Sequence, residues 1–304
     1  MIMTIEALHD PRIGTVSYLV ADRSMRKAAA IDCWLGLDLS TGRIDTTCVA
    51  HWSRRIEQLG LGLEWILETH VHADHLSGAV DLRAAAGGCI GIGAGMLDVA
   101  ARWEAILALP PAAQAGADFD RLFADGDVVR IGDLPMGVMG TPGHTRSCVT
   151  YLVGDAAFIG DTLFMPQAGT ARCDFPGGSA RTLYRSIRRI LALPPDTRLF
   201  CAHDYGPACG RPARWQSTVA QQQRDNVQAH VGVTEDEFVA FREARDRDLA
   251  APALLYPALQ VNLRAGRLPE PEANGIAYLR LPLEVQSSAR SSKPMPAPIP
   301  IGMP

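Results

Sequence analysis

Three histidines and an aspartate are crowded into the stretch THVHADH, residues 69–75. Imidazole nitrogens and carboxylate oxygens are ligands that borderline divalent metal ions accept in proteins. Because side chains alternate along an extended segment, His70 and His72 can point the same way. Asp74 and His75 follow where the chain turns, and they can face the same cavity. The stretch therefore predicts a metal site.

Three further candidate ligands each lie just past a short apolar run. They are His144 in GTPGHTRS, Asp161 in FIGDTLF and His203 in CAHDYG. Solvated loop histidines would have no reason to recur at the ends of apolar runs, so we group these residues with the first cluster. We assign the other histidines, His9, His51 and His230, to the surface or to packing.

The elements that must position these residues are short strands alternating with amphipathic helices. The predicted strands are TVSYLVAD (15–22), KAAAID (27–32), LEWILE (63–68), CIGIG (89–93), DVVRIG (127–132), MGVMGTPG (136–143), SCVTYLVG (147–154), AAFIGD (156–161) and RLFCAHD (198–204). Helical spacing covers 45–60, 75–88 and 179–194. Strands in two groups with helices between them indicate two sheets packed face to face, with helices outside.

The character of the sequence changes after residue 210. Residues 213–230 have helical spacing, and 234–249 opens with a capping box formed by Thr234 and Glu237. Residues 257–269 show no period and predict an irregular segment.

We therefore divide the chain into three parts. They are a catalytic core over 1–210, a helical extension packed on the core over 211–286, and a tail over 287–304. The tail is rich in serine and proline and lacks periodicity, which predicts disorder.

Composition bounds the class of protein. The chain has 304 residues, 47% hydrophobic and 20% charged, which is typical of a globular enzyme. A net charge of −4 gives no basic footprint for nucleic acid. The Cys count of 7 is odd and includes no Cys-x-x-Cys pair, which favours reduced thiols. No apolar run approaches the roughly 20 residues that span a bilayer, and no secretory signal is evident, so we expect a cytoplasmic protein without membrane contact.

The order H-x-H-x-D-H, Gly-His, Gly-Asp and a late histidine resembles the motif set of the metallo-β-lactamase superfamily. The resemblance covers about residues 10–210. It implies an α/β fold, the αββα sandwich of two mixed sheets, with metals at one edge. The superfamily pattern places His70, His72 and His144 in one metal site. It places Asp74, His75 and His203 in the other, with Asp161 bridging the two.

Finer features are similar to the bacterial type of persulfide dioxygenase. They are THVHADHLSGA, the segment GDTLFMPQAGTARCDFPGGSARTLY (160–184) and CAHDYG. The most specific is G-x-x-R-x-D-F, formed by Gly169, Arg172, Asp174 and Phe175. This resemblance implies an enzyme that oxidises glutathione persulfide with O2 and water to glutathione and sulfite. It implies one Fe(II), held by His70, His144 and Asp161, and it suggests a homodimer. Two histidines and one carboxylate leave positions open for O2 and substrate.

The roles of His72, Asp74, His75 and His203 then have two readings. Around a single iron they hydrogen-bond the ligands and orient them. Because all seven positions are intact, they can instead hold a second metal, as in a dizinc hydroxyacylglutathione hydrolase. Such hydrolases usually carry a lysine-containing glutathione motif near the C-terminus. The two lysines here, Lys27 and Lys293, are not placed for it. A β-lactamase and a non-enzymatic metal-binding protein are further, less favoured alternatives.

Substrate recognition is expected to involve Arg172, Tyr205 and Arg264. Arg172 follows Asp161 closely along the chain and could bind a carboxylate or the persulfide, although it could instead pair with Asp174. Tyr205 follows the last histidine, and Arg264 lies in a stretch that we predict to be irregular. Cys173 has no neighbouring histidine to activate it, so we interpret it as an incidental thiol.

Overall fold

The computed structural model describes residues 2–109, 116–206 and 210–283. The strands in these ranges are β1 (Met3–His9), β2 (Val16–Asp22), β3 (Lys27–Ile31), β4 (Trp34–Asp38), β5 (Arg43–Asp45), β6 (Gly62–Leu67), β7 (Leu76–Ser77), β8 (Cys89–Gly93), β9 (Arg121–Phe123), β10 (Val128–Ile131), β11 (Leu134–Gly140), β12 (Val149–Val153), β13 (Ala156–Gly160), β14 (Arg198–Cys201) and β15 (Gln216–Thr218). The helices are α1 (Thr47–Leu59), α2 (Ala79–Ala86), α3 (Met96–Leu107), α4 (Ala180–Leu191), α5 (Val219–Asp225), α6 (Glu235–Asp246) and α7 (Leu255–Asn262).

Within the described ranges, the strands form two six-stranded mixed sheets and one small sheet. The first large sheet has the order β1-β2-β3-β6-β8-β9, and the second has the order β10-β11-β12-β13-β14-β15. The first is antiparallel from β1 to β3 and parallel from β3 to β9. The second is antiparallel except between β13 and β14. The small sheet, β5-β4-β7, lies beside the histidine cluster.

Strand side chains alternate between an inner and an outer layer, as the two-residue period of a strand requires. Tyr18 of β2 and Phe158 of β13 enter the core between the sheets. Their neighbours Leu19 and Ile159 face the helices on opposite outer surfaces. In the inner layer, Tyr18 packs edge-on against Phe158 with 5.2 Å between ring centroids. Such pairs add about 0.5–1.5 kcal/mol beyond burial.

The helices cover the two outer faces. Helices α1, α2, α3 and α7 pack on the first sheet, and α4, α5 and α6 pack on the second. Helix α1 buries Cys48, Val49, Trp52 and Ile56, a stripe at helical spacing, and ends where Gly60 adopts φ 60°. Truncating the fully buried Trp52 to alanine would cost about 3–5 kcal/mol. The four layers confirm the predicted αββα sandwich.

Two predictions of local structure after residue 210 are wrong. The helix predicted over 213–230 is a short strand, β15, followed by the shorter helix α5. The segment predicted to be irregular contains α7, in which every residue from Pro257 to Asn262 is buried. A helix buried on all sides shows no polar face, so its sequence carries no helical period. The capping box of Thr234 and Glu237 at the start of α6 is confirmed.

The division into core, extension and tail stays a prediction, and residues 287–304 lie outside the described ranges. In the part of the chain that the structure describes, no helix is long and apolar enough to cross a membrane.

Candidate metal centre

The predicted ligands follow the carboxyl ends of strands from both large sheets. The histidine stretch follows β6, His144 follows β11, Asp161 follows β13 and His203 follows β14. The sheets are tied together at this edge. The Thr69 carbonyl accepts a hydrogen bond from the Val149 amide at 2.9 Å, and the Tyr151 hydroxyl donates to the Glu68 carbonyl at 2.8 Å. Residues far apart in sequence therefore converge at one place.

His70, His144 and Asp161 form the first donor group. Nε2 of His70 lies 3.8 Å from Asp161 Oδ2, and Nε2 of His144 lies 3.9 Å from the same oxygen. These separations exceed hydrogen-bond length. They suit donors that share one ion, since bonds of about 2.0–2.2 Å to a common metal place ligands roughly 3–4 Å apart. All three side chains are buried.

Hydrogen bonds fix which ring nitrogens of this group carry lone pairs. The Thr69 hydroxyl donates to Asp32 Oδ2 at 2.8 Å, so it can only accept from His70 Nδ1, 3.0 Å away. Nδ1 of His144 donates to the Arg172 carbonyl at 2.7 Å. Burial lowers the pKa of both imidazoles and favours their neutral forms. Each ring therefore presents an unprotonated Nε2 towards Asp161.

Asp74, His75 and His203 form the second donor group, in which Asp74 contacts both histidines. His203 donates from Nε2 to Asp74 Oδ2 at 2.7 Å and from Nδ1 to Asp161 Oδ1 at 2.6 Å. Burial alone would lower the pKa of His203, but the two carboxylates outweigh it and raise that pKa well above its usual value. His75 Nδ1 lies 3.1 Å from Asp74 Oδ2. The two carboxylates thus favour the imidazolium form of His203.

Two buried acids lie next to the Nε2 atom of His72. Its Nε2 lies 3.1 Å from Asp32 Oδ1 and 3.3 Å from Glu68 Oε2. The other oxygen of Glu68 accepts a hydrogen bond from the Ser77 hydroxyl at 2.6 Å. Burial lowers the pKa of His72, whereas the two carboxylates raise it, and the net shift is upward. Sequence reasoning did not assign Asp32 or Glu68 to the site, although Asp32 closes the predicted strand KAAAID.

The side chain of Asn262, in α7, hydrogen-bonds the backbone of the histidine stretch and of Ser77. Its amide nitrogen donates to the carbonyls of His72 and His75, each at 2.8 Å, and its oxygen accepts from the Ser77 amide at 2.7 Å. The residue lies in the segment predicted to be irregular, and no local signal marks it.

The predicted substrate residues have different surroundings. The Arg172 guanidinium donates to both oxygens of Asp174 at 2.7 Å, and the Arg172 carbonyl accepts a hydrogen bond from His144. Its role in substrate binding stays a prediction. Tyr205 is half-exposed and stacks on His203 with 5.8 Å between ring centroids. Arg264 lies 3.7 Å from Asp118, with which it forms an ion pair.

Cys173 is buried, and its thiol donates to Asp246 Oδ2 at 3.3 Å. Burial, assisted by Asp246, raises its pKa to about 12. A thiol held in this way is a poor nucleophile at neutral pH, which agrees with the interpretation as an incidental thiol.

The donor set fits a transition-metal ion. Nδ1 of His72 and Nε2 of His75 are buried and have no hydrogen-bond partner among the described residues. A buried polar atom without a partner costs about 1–3 kcal/mol, which coordination would offset. Two imidazole nitrogens with one carboxylate suit iron(II), and the complete set also suits zinc.

Comparison with known proteins agrees with this site. Residues 14–203 match the model of the metallo-β-lactamase superfamily. A probable metallo-hydrolase of Burkholderia pseudomallei (strain 1710b) is 50% identical, over 93% of this chain and 99% of the relative. A glyoxylase B2 of Dictyostelium discoideum is 42% identical, over 92% and 96% of the two chains.

A third relative, the mitochondrial persulfide dioxygenase ETHE1 of Mus musculus, is 30% identical over 86% of this chain and 88% of its own. The crystal structure of ETHE1 from Myxococcus xanthus matches with a TM-score of 0.69 and 28% identity, over 88% of this chain and 100% of that one. Since the superfamily model matches more than half of the residues and these relatives align over nearly their whole length, the chain belongs to the metallo-β-lactamase superfamily.

Proposed function

We propose that the chain is an iron(II)-dependent persulfide dioxygenase acting on glutathione persulfide. The observation that carries the proposal is the contrast within the site. His70, His144 and Asp161 direct donor atoms at a common point, whereas His203 is hydrogen-bonded to Asp74 and Asp161. One ion in a two-histidine, one-carboxylate setting fits this arrangement. The 30% identity to a persulfide dioxygenase supports it.

The proposed reaction is R-S-SH + O2 + H2O → R-SH + SO3²⁻ + 2 H⁺, where R is the glutathionyl group. The terminal sulfur is oxidised, O2 is reduced, and the sulfur–sulfur bond breaks. Iron(II) supplies a redox-active centre with open positions for O2 and a sulfur anion, which zinc does not.

The protein's own groups prepare the site for this chemistry. The Thr69 hydroxyl and the Arg172 carbonyl hold the rings of His70 and His144 with Nε2 available. Burial opposes ionisation of Asp161, but His203 outweighs it and lowers the pKa of Asp161, which keeps its charge. His203 retains a proton at Nε2 beside Asp74 and can give it to the departing thiolate. Tyr205, stacked on His203, covers one face of that ring.

The test is O2 uptake by anaerobically purified, iron(II)-loaded protein on addition of glutathione persulfide. We expect one sulfite for each O2 consumed. Zinc-loaded protein is the matched control and should consume no O2. Absence of uptake with iron verified in the protein would contradict the proposal.

A dizinc glutathione thioesterase is the second candidate. It is favoured by the 42% identity to a glyoxylase B2 and by the buried free nitrogens of His72 and His75. Two zinc ions supply a nucleophilic water at neutral pH. The test is hydrolysis of lactoylglutathione by zinc-loaded protein that contains two metal ions per chain. This result would support the thioesterase instead of the dioxygenase.

A further inference from the structure

A cavity of about 270 Å³ lies beside His75. Its walls come from residues 10–13, from the hairpin of β4 and β5 and from Leu254. Cavities that hold a whole small ligand usually measure about 300–1,000 Å³. This one therefore suits one end of a ligand whose remainder lies elsewhere.

The cavity adjoins the donor groups directly. His75, which forms part of its wall, contacts Asp74 through Nδ1 at 3.1 Å, and Asp74 accepts a hydrogen bond from His203. A ligand with one end in the cavity thus lies next to the second donor group.

The two arginines of the cavity differ in their partners. Arg12 is neutralised, because its Nη2 lies 2.6 Å from Asp10 and 2.7 Å from Asp45. These contacts also tie the hairpin to the 10–13 segment. Arg43 is an exposed residue that also lines the cavity, and its guanidinium makes no ion pair or hydrogen bond with any residue in the described ranges.

The two acids near Arg43 stay ionised, because hydrogen bonds lower the pKa of Asp38 and of Asp45, but their oxygens are bonded to groups other than Arg43. Asp38, paired with Arg43 across the hairpin, accepts hydrogen bonds from the side chains of Ser40 and Thr41 at 2.6 and 2.7 Å. Asp45 is held by Arg12 and by the Thr47 amide. Arg43 is therefore the cation of this wall that is available to a ligand carboxylate.

We propose that this cavity binds the peptide end of the substrate and that Arg43 pairs with one of its carboxylates. The proposal rests on the proposed function, since both candidate substrates carry a glutathionyl group. A guanidinium and a carboxylate form charge-assisted hydrogen bonds of matching geometry. The apolar wall, Ile13, Leu37, Ile44 and Leu254, packs against the methylene groups of the peptide.

The kinetic test compares Arg43→Gln with Arg54→Gln, an exposed arginine of α1 that does not line the cavity. With glutathione persulfide, R43Q should raise KM about 10-fold and leave kcat unchanged, as expected when uniform binding is lost. With the persulfide of 2-mercaptoethanol, which has no carboxylate, R43Q and wild type should have the same KM. R54Q should match wild type with both. An unchanged KM of R43Q for glutathione persulfide would overturn the subsite.

A binding measurement separates this proposal from the proposed function. Anaerobic calorimetry with the unreactive S-methylglutathione should show about 10-fold weaker binding to metal-loaded R43Q than to wild type. If that difference appears while O2 uptake is absent, the subsite stands and the dioxygenase reading fails. If O2 uptake is normal and binding to R43Q is unchanged, the dioxygenase reading stands and the subsite fails.

Discussion

The first donor group (His70, His144, Asp161) and the second (Asp74, His75, His203) differ in what their donor atoms contact. In the first, two Nε2 atoms face one carboxylate oxygen at 3.8 and 3.9 Å, beyond hydrogen-bond reach. In the second, ring nitrogens approach the carboxylate of Asp74 at 2.7 and 3.1 Å. The first group is oriented by neighbours outside it, and the second is held by its own hydrogen bonds.

This difference shows why the sequence motif alone does not decide whether the site holds one metal ion or two. All seven positions are present under either reading. What separates the readings is where each proton lies, and that depends on the hydrogen bonds around the motif. The Thr69 hydroxyl and the Arg172 carbonyl free Nε2 in the first group. In the second, His203 lies within hydrogen-bond distance of both Asp74 and Asp161, which favours its protonated form.

The largest effect is expected from removing the shared carboxylate of the first group. In Asp161→Ala, iron affinity and O2 uptake should fall by more than about 100-fold, the upper end of what residues that merely orient ligands contribute. Metal analysis after desalting and an oxygen electrode measure the two losses. Asp155→Ala, at an exposed position just before β13, is the control and should retain its iron. Full iron content in D161A would contradict the assignment.

The next effect concerns Asp246, which holds the backbone next to the carbonyl that orients His144. Asp246 of α6 pairs with the buried Arg242 and accepts from the Cys173 amide at 2.8 Å, next to the carbonyl that orients His144. Asp246→Asn leaves Arg242 buried without its charge partner, which should lower the free energy of unfolding by about 3–5 kcal/mol.

Urea denaturation measures that loss, and Asp248→Asn, exposed just beyond α6, serves as the control. If Asp246 helps to orient His144, folded D246N should also bind iron more weakly than wild type. A stability within 1 kcal/mol of wild type would rule out a buried pair of this strength.

A smaller effect is expected in the second group. His203→Ala should keep one iron per chain, because the first group is untouched, while O2 uptake falls about 10–100-fold. Metal analysis and the oxygen electrode again provide the readouts, and the exposed His230→Ala is the control. If H203A lost as much iron as D161A, His203 would be a metal ligand. The two donor groups would then not differ in the way described above.

The smallest effect concerns Asn262, whose side chain hydrogen-bonds the backbone of the histidine stretch. Asn262→Ala removes hydrogen bonds to the carbonyls of His72 and His75 and leaves the buried Ser77 amide without its acceptor. The free energy of unfolding should fall by about 1–3 kcal/mol, with iron content preserved. Thermal and urea unfolding measure it against Asn274→Ala, an exposed asparagine. An unchanged stability would mean that water replaces the lost partners.

The predictable part of the site is the part encoded locally. Histidines two residues apart after an apolar run, and an aspartate closing another run, can be recognised in a short window. Asp32, Glu68 and Asn262 cannot, because their contacts with the histidine stretch depend on tertiary packing. The bond from Asn262 to the His72 carbonyl joins residues 190 positions apart.

The fold shows the same division. The sandwich follows from alternating strands and amphipathic helices, each of which shows its period along the chain. Helix α7 was missed because its residues from Pro257 to Asn262 are buried, so no polar face marks a period. Arg172 illustrates the limit for single residues: its type allows a substrate contact or a pair with Asp174, the structure contains the pair, and the substrate contact stays a prediction.

The hydrogen bond from the Val149 amide to the Thr69 carbonyl has a consequence for how the chain matures. It joins the loop that carries His70 to the sheet that carries Asp161, so neither sheet alone possesses a complete set of ligands. A nascent chain that has formed only its first sheet can offer the histidine stretch but not the shared carboxylate. A metal ion held by the first donor group can therefore bind only after the two sheets have docked, and metal content at that group reports the molecules that have completed this step.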